Sequence, residues 1–291
     1  MKVGIALAGG GVRGAAHLGV IQALEEAGVK VSVYTGTSAG SIVATMKASG
    51  ATNEQCMEIL AEVDKSLMDI AYLDILFSIP TKFRNLDSIF KGERLRQILD
   101  KYMYEIEYDS MPNELAIIST DIFSGTQIIF TNSDAAIQEK DTIDNDVKVI
   151  SLDDWPPIHD MVYSSCALPG VFRPLKHEDM GLVDGSITNN LPANIAMSIG
   201  AEKVIAVHLS EESPKSEPIR GIHNIVGKSI NILVGQTSFL SVSHSHDVFE
   251  LFPNVSNIGL LDFDKARDAY IEGYKHTTER MPDILKYLKA K

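Results

Sequence analysis

The chain begins with two apolar runs, each followed at once by a glycine-rich turn and then by a segment that can be helical. Val3 to Leu7 leads into Gly9-Gly10-Gly11-Val12-Arg13-Gly14, and Val29 to Tyr34 leads into Gly36-Thr37-Ser38-Ala39-Gly40. The first, Val3 to Leu7, runs without alternation, which predicts a strand buried on both faces of a parallel sheet. Between the two runs, Ala16, Gly19, Val20, Ala23, Leu24 and Ala27 recur at spacings of three and four, one face of a helix. Gly28 stands where a helix C-terminal glycine belongs. A β-loop-α-β-turn-α opening restricts the chain to α/β architectures.

The rest of the chain continues the alternation. Further strands are predicted at Leu115 to Ser119, Gln127 to Phe130, Gly181 to Val183 and Lys203 to Leu209. Thr52 or Asn53 is suited to cap a helix that ends near Asp64, and helices fit 193–199, roughly 222–242 and 264–289. The 222–242 segment is amphipathic and holds Lys228, Gln236 and several Ser and Thr, so it is not a membrane span. Residues 211–220 read as an exposed loop. Strands alternating with helices argue for an α/β sheet with helices on both faces. We expect residues 1–291 to form one domain. Residues 66–92 crowd Leu67, Met68, Ile70, Leu76, Phe77 and Phe83 among few breakers, either as helices closing one side of the core or as a lid over the site.

With 291 residues and 45% hydrophobic content, the chain can bury a large core. Its net charge of −13 repels phosphate backbones, which argues against nucleic-acid partners and against strong attraction to anionic membranes. Local basic spots at Lys82, Arg84, Lys91, Arg94 and Arg96 leave room for a peripheral membrane contact. Cys56 and Cys166 make no disulfide framework and no C-x-x-C pair, which fits a reducing compartment. Val3 to Ala8 is too short for a signal-peptide core, and no stretch approaches the roughly 18 apolar residues of a span. The expected location is cytoplasmic. No metal-ligand spacing stands out, so neither metal nor cofactor is expected.

Gly36 to Gly40 reads G-x-S-x-G between a strand and a helix, the context of a nucleophile elbow. There a serine is held in a strained backbone with its hydroxyl exposed, at a helix N-terminus that favours developing negative charge. Ser38 is therefore a candidate nucleophile. The loop at Gly9, Gly11 and Gly14 also matches G-x-G-x-x-G. A dinucleotide site would need an acidic residue at the end of the second strand. The chain offers Tyr34-Thr35-Gly36-Thr37-Ser38 there. The other meaning is an oxyanion hole, in which consecutive glycines expose backbone N–H groups, each worth roughly 3 kcal/mol to a transition state. Adjacent parallel strands would bring this loop against Ser38.

Serine needs a base. Asp184 ends an apolar run in Leu182-Val183-Asp184-Gly185-Ser186 and can contact Ser38 directly if partial desolvation raises its pKa. A Ser38–His208–Asp184 triad is the alternative. His17 reads as a helix-face residue, and His244 and His246 lie in a polar segment.

Together these motifs resemble the patatin-like phospholipases, in particular bacterial single-domain members. Gly9 to Gly14 resembles the family's oxyanion loop, Gly36 to Gly40 its elbow, and Asp184-Gly185 its Asp-Gly-Gly/Ala motif. Ser164 to Phe172, Thr120-Asp121 with Gly125, and Val183 to Pro192 resemble the intervening segments, so the likeness covers about residues 2 to 209, and Phe263 to Tyr274 is similar too. It implies a three-layer α/β/α sandwich with a mostly parallel central sheet, a Ser38–Asp184 dyad without catalytic histidine, N–H donors around Gly10, Gly11 and Val12, and hydrolysis of lipid acyl esters. Acyl transfer or thioester hydrolysis on the same dyad and a non-catalytic binding module are the competing functions. Ser186 stands where the family has Gly or Ala, and its hydroxyl is placed to bond Asp184 or narrow the site.

Overall fold

The two opening apolar runs form neighbouring parallel strands, β1 (Val3–Leu7) and β2 (Val31–Thr37), joined through helix α1 (Ala15–Glu26). The second strand starts two residues later than the apolar run and extends to Thr37, because pairing with its neighbours carries it up to the Ser38 turn. Helices α2 (Ala39–Ala48) and α3 (Asn53–Glu62) follow. Thr52 and Gln55 cap α3 reciprocally: the Thr52 N–H donates to Gln55 Oε1 and the Gln55 N–H to Thr52 Oγ1. This computed structural model describes residues 1–62, 69–70, 87–134, 146–152, 157–209, 221–243 and 247–290. Most of the 66–92 segment, the 211–220 loop, His244 and His246 lie outside them. Of the first, Asp69 accepts the N–H groups of Gly92 and Arg94, and Ile70 bridges to Phe90.

Beyond α3, the chain adds β3 (Ser88–Phe90), α4 (Glu93–Met103), β4 (Glu114–Asp121), β5 (Gln127–Thr131), β6 (Val147–Ser151) and α5 (Ile158–Cys166). Then come β7 (Gly170–Phe172), β8 (Leu175–His177), β9 (Met180–Asp184), the one-turn α6 (Ser186–Asn189), α7 (Ala193–Ser198) and β10 (Lys203–Val207). The last elements are α8 (Ile222–Ser243), β11 (Val248–Leu251) and α9 (Ala266–Lys289).

One sheet runs in the order β11-β10-β1-β2-β4-β5-β6. It is parallel from β11 through β4 and again between β5 and β6, and antiparallel where β5 and β9 meet β4. β3 and β7 form a separate pair. Ile5 and Leu7 pack into one buried layer and Ala6 and Ala8 into another; Leu115 and Ile117 divide from Ala116 and Ile118 in the same way. The central strands are thus covered by helices on both faces, as the unbroken apolar run of β1 requires.

One strand position fixes the site. β2 pairs along β4 as far as Thr37 opposite Ile118. β9 pairs with β4 from Asp121 back to Ser119, which faces Asp184. The two strands run toward each other and end at adjacent registers, Ile118 and Ser119. Their last residues therefore converge.

Helices α1 and α9 cross at glycines. A methyl at Gly19 would sit 2.1 Å from the Tyr270 carbonyl oxygen, and one at Gly273 2.1 Å from that of Ala16. Backbone cannot move aside as a side chain can. Gly273→Val is expected to lower stability by about 3 kcal/mol, the upper end of overpacking effects, read as a lower Tm in thermal unfolding.

Candidate active site

Ser38 caps α2 at φ 54° and ψ −127°, a backbone conformation that costs a residue with a side chain about 1–3 kcal/mol. Close packing enforces it. A methyl at Gly36 would lie 2.3 Å from the Gly40 carbonyl oxygen, and one at Gly40 2.2 Å from that of Leu7. Both flanking positions thus need glycine. The Ser38 carbonyl accepts the N–H (2.8 Å) and the hydroxyl (2.6 Å) of Ser41, which closes the turn into the helix.

Asp184 is 3% exposed and lies beside the Ser38 side chain, which acts on its carboxyl. Burial pushes its carboxyl above the usual range, against the pull of hydrogen bonds from the Ser186 N–H, the Ser38 side chain and the Ser186 side chain. The Ser186 N–H donates to Asp184 Oδ1 at 2.9 Å. Gly185 lies against the Ile118 carbonyl oxygen, 2.3 Å from where a methyl would be.

The end of α5 stitches the two halves together. Ser165 Oγ donates to the Ile118 carbonyl at 2.5 Å and accepts the Ser38 N–H at 2.9 Å. The Ala167 carbonyl accepts the Asp184 N–H at 3.0 Å. Cys166 lies between them, where burial and the Asp184 charge raise its thiol and keep it protonated. The residue types alone gave no signal for Ser165 or Cys166 as parts of the site.

The glycine loop borders the elbow. A methyl at Gly9 would lie 3.0 Å from Ser38 Cβ, and one at Gly14 2.6 Å from Ala39 Cβ. The Gly9 N–H is held by Asn190, 3.2 Å from both its backbone and side-chain oxygens. The Val12 N–H donates to the Leu260 carbonyl and the Arg13 N–H to that of Gly10. Arg13 Nε donates to Ile258 O and Nη1 to Leu209 O, which ties the loop to two distant segments. Among the described residues, the N–H groups of Gly10 and Gly11 meet no acceptor. Gly11 has φ 57°, and a methyl there would be 2.3 Å from Leu260 O. Asn190, which pins this loop, lies within the Val183 to Pro192 segment, where no residue type marks it as part of the site.

His17 is fully buried on α1, with Nε2 2.8 Å from the Ala8 carbonyl. Burial lowers its pKa to about 4, so the ring is neutral and donates from Nε2. His208 Nε2 lies 2.9 Å from Glu250, and its ring stacks on Phe252. Its partners thus lie on β11 and just beyond it. Ser38, Asp184 and the glycine loop are brought together; His208 is engaged elsewhere.

An elbow serine, a buried carboxylate and a glycine loop on a three-layer α/β/α frame define the class. The sequence profile of the patatin-like phospholipases matches residues 5–197, and the chain belongs to that family. An uncharacterized NTE family protein of Mycobacterium tuberculosis is 26% identical over 98% of this chain and 48% of its own length. The chain therefore spans about half the length of that relative. The YqhO protein of Bacillus subtilis is 27% identical over 93% of this chain and 94% of its own. The human patatin-like phospholipase domain-containing protein 6 is 28% identical over 72% of this chain and 13% of its own. Among solved structures, VipD from Legionella pneumophila matches 97% of this chain and 67% of its own with a TM-score of 0.55 at 14% identity, a likeness of fold.

Proposed function

We propose that the chain is a single catalytic unit that hydrolyses acyl esters of lipids, of phospholipase A, lysophospholipase or esterase type, through Ser38 and Asp184. The observation that carries this is Ser38: a strained serine at a helix N-terminus, beside a buried carboxylate whose pKa is raised. A raised pKa brings a carboxylate closer to the range in which it accepts a proton effectively. In the reaction, Ser38 Oγ attacks the ester carbonyl carbon while Asp184 takes the hydroxyl proton. The oxyanion forms beside the N–H groups of Gly10 and Gly11, which have no other acceptor among the described residues. The intermediate collapses, and the leaving alcohol takes the proton from Asp184. Asp184 then deprotonates water, which attacks the acyl-serine; as the acyl–oxygen bond breaks, Asp184 returns the proton to Ser38 Oγ and the carboxylic acid leaves. Family membership supports the lipid substrate class.

A fluorophosphonate probe tests this reading. It should label the folded wild type at Ser38 and leave Ser38→Ala unlabelled. No labelling, together with no turnover of p-nitrophenyl esters or phospholipids of any chain length, would sink it and favour a binding module. Product analysis with added alcohol or thiol acceptors separates hydrolysis from acyl transfer.

A further inference from the structure

α8 is built inside out. Over its 22 residues the charged side chain is Lys228. Several of its inward positions are polar, beside Val242, which packs on the core. Ser238 and Ser241 are 3% and 5% exposed. Ser238 Oγ accepts from Asn190 Nδ2, Ser241 Oγ bonds Asn194, and Thr237 Oγ1 donates to the Ser186 carbonyl. The opposite face presents Ile225, Ile232, Leu233, Phe239 and Leu240, with Leu233 and Phe239 64% and 65% exposed. A surface helix of a globular protein has the reverse polarity.

Exposed apolar side chains also stand on segments that adjoin the candidate site. Ile122 and Phe123 are exposed on the turn after β4, beside Gly181 of β9. Ile187 is exposed three residues after Asp184, and Leu260 and Leu261 are exposed beside Gly11. Exposed apolar patches of this kind mark interaction sites. Among the described residues no helix is long and apolar enough to cross a membrane, so the face can lie on a bilayer rather than span it.

We propose that this face, α8 with the 122–123 turn and the 260–261 loop, docks on a zwitterionic lipid surface and sets the mouth beside Ser38 against it. The choice of lipid rests on the hydrolase reading above, since a substrate ester in a bilayer must reach Ser38 through this mouth. A second copy of the chain seated here would instead cover the mouth. The net charge of −13 disfavours anionic surfaces and makes apolar burial the driving force.

The test is flotation of the full chain with phosphatidylcholine vesicles, using Ser38→Ala so that no lipid is consumed. The protein should float with them, with less than about a twofold change between low and high salt. The double variant Leu233→Ser/Phe239→Ser in the Ser38→Ala chain should lose about tenfold or more in partitioning. The same pair in the active chain should leave hydrolysis of a soluble short-chain ester unchanged, which also reports that the variant is folded. Any of three results overturns the proposal: no flotation, equal flotation of the double variant, or binding to anionic vesicles alone that salt abolishes. So does a dimer in sedimentation that the double variant converts to monomer. Flotation without any ester turnover would keep the docking face and remove the catalytic reading. Turnover of soluble esters without flotation would do the opposite.

Discussion

Ser38→Ala should reduce kcat/KM for a short-chain ester by about 10⁵-fold, the scale seen when a catalytic nucleophile is removed. The residual rate would come from substrate binding and the glycine-loop donors. Alanine cannot relieve the φ of 54°, so folding should be little changed. Ser38→Gly separates function from strain. It should be equally inactive, yet glycine adopts positive φ without steric penalty. The relief of about 1–3 kcal/mol is partly offset by the extra freedom of glycine in the unfolded chain, for a net gain near 1 kcal/mol. A higher Tm for Ser38→Gly than for Ser38→Ala would establish that the elbow stores strain. Equal values would deny it.

Asp184→Asn should lower kcat by about 10²–10⁴-fold, the range of a general base. Its effect on stability has the opposite sign. Burial raises the Asp184 pKa above that of the unfolded chain. A raised carboxylate favours folding fully below its unfolded pKa, and that contribution is lost as pH rises through the folded value. At neutral pH the charged form is therefore a liability, and the neutral amide should raise Tm there. The gap should close as pH falls toward the acid range. In the wild type, the acidic limb of kcat/KM should lie above the usual carboxylate range. A limb at an ordinary carboxylate pKa, or a variant less stable at neutral pH, would show that Asp184 is held by its hydrogen bonds more than by burial.

Much of this fold was legible in the chain because burial leaves a pattern. Val3 to Leu7 and Val204 to Val207 are unbroken apolar runs, and both lie in central parallel strands. The elbow was legible because a strand, a strained serine and a helix must follow one another within a few residues. Elements without a strong pattern were not. Every residue of α5 is buried, so it shows no amphipathic spacing. β6, β7, β8 and β11 are short and partly exposed. Asn190 and Ser165 escaped for another reason. Asn190 holds Gly9 across 181 residues of sequence, and Ser165 holds Ser38 across 127. No local rule connects positions that far apart. The antiparallel entry of β9 against β4 is equally non-local, and it is what brings Asp184 to Ser38.

That head-on meeting of β2 and β9 along one edge of β4 changes what sets the spacing of the two groups. The ruler is a run of main-chain hydrogen bonds at Ile118 and Ser119, and neither side chain chooses its own distance. Loops of the excursion between residues 122 and 179 that lie outside β5 and the α5 end at Ser165 can gain or lose length without altering the gap, because both ends are clamped to the same strand. The mouth can be remodelled for new acyl groups while the reacting atoms stay in step. The one edit such a device does not tolerate is a residue added to β4 between Ile118 and Ser119, which would separate the pair by about 3.3 Å and turn one of them to the other side of the sheet.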